Sequence, residues 1–209
     1  MKCLPRRPDL RHLVPLLTVA VSCALLAGPV AAQATGGGGP AARHGFHFSV
    51  GLGTASVSAT CSACDVNFFQ DRINGFSGRL QLGAAVTPRL VIAGEFLGWI
   101  KNDQTLQRRI AALSVVLLGY PSPTAGFFMK AGFGMLRAVA ENDLVVVQSD
   151  ALMSSVGMGY DIPVGGRVKL TPYGTYIRTF ATQTWADNVE SPVAISPNAF
   201  QFGVALTVH

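Results

Sequence analysis

One pattern recurs in eight segments of the chain: apolar side chains at every second position, with small or polar ones between them. Alternation with a period of two is the signature of a strand whose two faces meet different surroundings. In the first segment Phe46, Phe48, Val50 and Leu52 fall opposite His47, Ser49, Gly51 and Gly53. In the second, Phe76, Leu80, Leu82 and Ala84 oppose Ser77, Arg79, Gln81 and Gly83. The third, Leu90 to about Trp99, sets Leu90, Ile92 and Phe96 against Glu95, and the fourth, Ile110 to Tyr120, is apolar on both faces. The fifth sets Phe127, Met129, Ala131 and Phe133 against Phe128, Lys130, Gly132 and Gly134. Leu152, Val156, Met158 and Tyr160 oppose Ser155, Gly157, Gly159 and Asp161 in the sixth. Val168, Leu170 and Tyr176 oppose Lys169, Thr171, Tyr173 and Thr175 in the seventh. The last sets Phe200, Phe202, Val204, Leu206 and Val208 against Gln201, Gly203, Ala205 and Thr207.

Each segment is about 10 residues long, the length at which a tilted strand crosses a bilayer. The connections alternate in predicted length. Long ones at about 54–72, 100–109, 137–150 and 178–197 are separated by short turns at Val86-Thr87-Pro88, Pro121-Ser122-Pro123 and Ile162-Pro163-Val164-Gly165-Gly166. Long loops on one side and short turns on the other are the rhythm of outer-membrane barrels. The prediction is an all-β protein, an eight-stranded antiparallel up-and-down transmembrane β-barrel over 44–209. An even strand count puts both ends of that domain on the periplasmic side.

The composition decides which face meets lipid. Half the chain is apolar (49%) and only 13% is charged, so few side chains are available to cover a water-facing surface. The polar face carries Arg79, Gln81, Glu95, Lys130 and Gln201 amid glycines, a sparse and nearly charge-balanced set that suits a narrow lumen. A hairpin turning about Thr87 sets Arg79 across from Glu95, and with Lys130 these residues form a predicted lumen charge network that plugs the barrel. Buried alone, any of these charges would be costly. Phe46, Trp99, Tyr120, Phe127, Tyr160, Tyr176 and Phe200 lie near strand ends and read as interfacial aromatic anchors.

The first 34 residues read as a secretory signal: Lys2, Arg6, Arg7 and Arg11, an apolar run from Leu13 to about Leu26, then small residues with cleavage expected after Ala34. Residues 35–43 form a flexible leader. The signal takes four of the 16 Lys and Arg and one of the 11 acids, which leaves a net charge of +2 and no case for nucleic acid. No later apolar run approaches the roughly 20 residues of a membrane helix. Cys61 and Cys64 are the remaining cysteines, and an even pair in an exported chain reads as a disulfide. A zinc site would need about four ligands, which neither cysteines nor nearby histidines supply. His44 and His209 could approach one another where the first and last strands meet, but solvated rim histidines are the favoured reading.

The pattern resembles the small outer-membrane β-barrel family, the OmpA/OmpX-like group, over about residues 44–209. The parts that carry the likeness are the Cys61-Ser62-Ala63-Cys64 loop, Gly78-Arg79-Leu80-Gln81-Leu82-Gly83, the Tyr120-Pro121-Ser122-Pro123 turn and the closing stretch from Phe200 to His209. The resemblance implies a final strand read by the barrel-assembly machinery, although Val208-His209 stands where an aromatic residue is usual.

A non-enzymatic outer-membrane protein follows, exported and integral to the bacterial outer membrane, with a structural or surface-interaction role. Outer-membrane lipid and lipopolysaccharide are its expected partners, a monomer its expected state, and neither cofactor nor metal is expected. Eight strands enclose a space that side chains fill, so a broad channel is not expected. Two other readings stay open. One is a soluble exported barrel that binds an apolar ligand, and the other is an outer-membrane lipid-modifying enzyme. Catalysis would need a nucleophile, a base and an orienting acid within reach of one another. His44, His47 and His209 have no evident partners of that kind in the sequence.

Overall fold

A computed structural model describes residues 43, 45–61, 72–103, 106–142, 145–187, 189–191 and 195–209. The signal, nearly all of the leader, His44 and Cys64 lie outside these residues, and so does the expected disulfide.

Ten strands run in chain order: β1 (Gly45–Cys61), β2 (Ile73–Thr87), β3 (Leu90–Asn102), β4 (Gln107–Gly119), β5 (Phe127–Glu141), β6 (Val146–Tyr160), β7 (Ile162–Gly165), β8 (Val168–Ala186), β9 (Val189–Ser191) and β10 (Ile195–Val208). Every pairing is antiparallel between neighbours, and β10 pairs with β1 to close the sheet. β7 resumes the line of β6 beyond Asp161 along the same partner, β8, and β9 is a short addition to the far end of β8. The barrel therefore has eight staves. Closure leaves no unpaired edge, which hydrocarbon would not tolerate.

Period two sets the two faces along every stave. Phe46, Leu52, Phe76, Phe96, Leu113, Met129, Phe133, Val156, Phe202 and Val204 point outward and are exposed. The partner positions His47, Ser49, Ser77, Arg79, Gln81, Glu95, Lys130, Thr171, Thr175, Gln201 and Thr207 point inward and are buried. A soluble carrier of an apolar ligand needs the reverse arrangement, so the structure removes that reading. The outward apolar band runs from the short turns up to a rim where polar side chains replace it: Thr54, Asn74, Asn102, Arg109, Arg137, Arg178 and Asn198. Beyond that rim the staves continue, so the main strand of each stave is 13–19 residues long rather than about 10. Much of the predicted long connections is thus paired strand. Residues 137–141 and 146–150 extend β5 and β6 as a paired ladder in which Arg137 lies opposite Asp150 and binds it through two hydrogen bonds of 2.7 and 2.9 Å.

The closing seam is tight. Gly53 lies opposite Gly203, and a Cβ on Gly53 would come within 2.1 Å of the Phe202 carbonyl oxygen. A Cβ on Gly203 would come within 2.3 Å of the Leu52 carbonyl oxygen, so the close approach of β1 and β10 needs glycine at both positions. On β8 the alternation breaks at Ala181, whose φ of 48° marks a one-residue bulge against β6.

Candidate functional site

The lumen is the place where polar chemistry gathers, and it has two halves. The half toward the short turns carries a hydrogen-bonded polar network beside an apolar cluster of Val91, Ala93, Val116, Leu118, Tyr120 and Phe128. Lys130 on β5 reaches over β4 to Glu95 on β3, with Nζ 2.8 Å from both carboxylate oxygens. Gln81 donates its amide nitrogen to Glu95 Oε2 at 2.5 Å, and its oxygen lies 3.4 Å from His47 Nε2. His47 Nδ1 lies 3.3 Å from His209 Nδ1, and His209 Nε2 lies 3.3 Å from Asp161 Oδ2. Asp161 also accepts from Tyr120 Oη at 3.2 Å and Thr171 Oγ1 at 2.8 Å. With its one hydroxyl proton given to Asp161, Thr171 accepts from Thr207 at 3.0 Å; Thr207 pairs with Ser49, and Ser49 accepts from Arg79 Nη2 at 3.4 Å.

The expected register of β2 and β3 is corrected by two residues. Glu95 lies opposite Gln81, and Arg79 lies opposite Leu97. The turn falls on Pro88-Arg89 rather than about Thr87, and a bulge between Ala85 and Thr87 absorbs the difference. Pro88 has its φ preset for the first central turn position, which draws the hairpin there. A slip of two keeps every side chain on its face. Arg79 therefore still points inward, but its guanidinium lies 3.6 Å over the Tyr173 ring instead of on Glu95.

The rim of this half is closed by Arg43. It donates to the Pro123 and Ala125 carbonyls, covers the Tyr120 ring at 3.5 Å and lies 3.7 Å from Asp161. The buried Asp161 carboxylate is thus met by hydrogen bonds from Tyr120 and Thr171, with His209 at 3.3 Å and Lys169 at 3.8 Å. Burial holds the His209 imidazole below its ordinary range. His44, expected beside His209, lies outside the described residues; it is His47, 1% exposed, that meets His209, whose side chain is 5% exposed and enclosed rather than solvated.

The other half of the lumen is apolar. Val57, Leu97, Trp99, Leu136, Met153 and Ile177 pack with Ala55, Ala112 and Ala199 into one cluster. Trp99 and Tyr120 are a second correction. Both were expected in an outward aromatic belt, yet they are 4% and 3% exposed and point into the lumen. Trp99 donates its indole N–H to the Ala55 carbonyl at 3.0 Å, and Tyr120 packs on Phe128. Each follows the inward parity of its strand, which burial enforces more strongly than position near an end. Phe46, Phe127, Tyr160, Tyr176 and Phe200 do face outward. Between the halves lie Ser77, Ser114, Ser155, Thr175 and Gln201, whose buried side-chain polar atoms have no partner among the described residues.

Sequence reasoning missed His47, Asp161, Thr171, Tyr173 and Thr207 as lumen-network members. Their signal was present: all occupy inward positions of the alternation. Among the described residues neither imidazole bonds a Ser or Thr hydroxyl.

No family model matches this chain, and no curated protein matches it in sequence. Solved structures do match. Neisserial surface protein A (NspA) aligns with a TM-score of 0.53 at 16% identity, covering 77% of this chain and 96% of that one. The outer membrane protein OprG from Pseudomonas aeruginosa aligns with a TM-score of 0.50 at 12% identity, covering 80% and 98%. At these identities the likeness concerns architecture. The closed sheet, outward apolar band and inward polar set together give this chain the fold of the small eight-stranded outer-membrane β-barrels.

Proposed function

We propose that the protein resides in the bacterial outer membrane as a plugged, non-enzymatic barrel that carries surface contacts on its extended hairpins. The observation that carries this reading is the filling of the lumen, by a hydrogen-bonded network in one half and an apolar cluster in the other. Side chains occupying both halves narrow the lumen and speak against a broad channel. The short turns border the apolar band directly and face the periplasm. The ends that continue beyond the band face outward, where Arg109, Arg137 and Arg178 stand at the lipid boundary. That placement suits contact with the phosphates of lipopolysaccharide.

Two measurements test the reading. An epitope inserted after Asn142 should be reached by antibody on intact cells, while one inserted in the Pro121–Thr124 turn should be reached only after permeabilisation. In planar bilayers the purified barrel should give no stable conductance. Reversed epitope access would invert the orientation, and steady ion current would remove the plugged-lumen reading.

A further inference from the structure

The closing register continues one residue further: Phe48 lies opposite Val208, so the inward neighbours His47 and His209 come side by side at the seam, at the barrel mouth. Their Nδ1 atoms are 3.3 Å apart and their ring centroids 4.7 Å apart. The second nitrogen of each ring is committed. Gln81 spends its amide nitrogen on Glu95, so its oxygen is left to accept from His47, and His47 Nε2 carries the proton. His209 Nε2 faces the Asp161 carboxylate, which only accepts, so that nitrogen carries the proton as well. A neutral imidazole has one N–H. Both Nδ1 atoms are then lone-pair acceptors 3.3 Å apart, an arrangement that repels unless a proton or a metal ion lies between them.

We propose that His47 and His209 bind a divalent transition-metal ion, of the Zn2+ or Cu2+ class, through their two Nδ1 atoms. An ion about 2.1 Å from each nitrogen would see them at an angle of roughly 104°, close to tetrahedral. The outer partners are those that metal-binding histidines ordinarily have: each donates its remaining N–H to a fixed oxygen, here Gln81 Oε1 and Asp161 Oδ2. Among the described residues no group of three or more His, Cys, Asp and Glu is placed for a metal, so the two rings supply only half of a tetrahedral set and the affinity is modest. Arg43 and Lys169, 3.7 and 3.8 Å from Asp161, offset its charge and weaken the site further. A proton shared between the two rings is the competing occupant.

The test uses the untagged full chain, folded in detergent, titrated with ZnCl2 by calorimetry and followed by 15N spectra of the histidine side chains. Zn2+ should bind and move the Nδ1 resonances of both rings. His47→Phe and His209→Phe should each weaken that binding at least tenfold, and Asp161→Asn by about 10–100-fold, with the heat-shifted band retained. Equal affinity in wild type and both Phe variants would place the metal elsewhere. No Zn2+ uptake, with one proton resonating between the rings, would make the pair a hydrogen bond and overturn the proposal. Where a variant fails to fold, the wild-type Nδ1 shifts decide alone.

Discussion

Lys130 Nζ sits 2.8 Å from both carboxylate oxygens of Glu95, across an intervening strand, with the two side chains 1% and 0% exposed. The pair joins β3 to β5 without a backbone contact between them. Only the curvature of the closed barrel brings these positions together, and only a side chain as long as lysine spans β4. Breaking such a pair on one side strands a buried charge. Lys130→Met should therefore cost about 3–5 kcal/mol, whereas Lys130→Met with Glu95→Leu should recover most of that loss. Urea unfolding of the detergent-folded barrel measures both. If the double variant is no more stable than the single, the charge is not the cause.

Gly53 and Gly203 should govern closure. Gly53→Ala puts a methyl group into the backbone of β10, and the heat-shifted, folded band should diminish on gels. Gly78→Ala is the control. It faces outward, with its nearest neighbour 3.9 Å from the added carbon, and should fold like the parent. Equal folding of the two variants would show that the seam has slack.

Trp99 should behave as core and not as a lipid anchor. Trp99→Ala removes the largest side chain of the apolar half and its bond to Ala55, at a cost of about 3–5 kcal/mol. Tyr160→Ala, on the outward face, should cost distinctly less, since lipid refills the space. Comparable losses in urea unfolding would return Trp99 to the belt.

The β2–β3 register is open to cross-linking. Leu80→Cys with Phe96→Cys pairs direct neighbours and should oxidise readily to a disulfide. Leu80→Cys with Gly94→Cys is the pairing required by a turn centred on Thr87 and should oxidise poorly. Preferential oxidation of the second pair would restore the direct opposition of Arg79 and Glu95.

The sequence by itself determined the faces. Because a strand alternates with period two, the apolar or polar character of successive residues assigned Phe202 outward and Gln201 inward before any pairing was known. Eight such segments required a closed sheet. Even Trp99 was legible in this way, since it shares the parity of Glu95, but its position near a strand end suggested an anchor. Tertiary structure decided what period two cannot see. A slip of two residues leaves every face unchanged, so the Pro88-Arg89 turn and its bulge, not the pattern, gave Glu95 to Gln81. The partners Lys130–Glu95 and His47–His209 lie 35 and 162 residues apart. Those meetings depend on the shear and closure of the barrel, which fix distances across a lumen that no local pattern encodes.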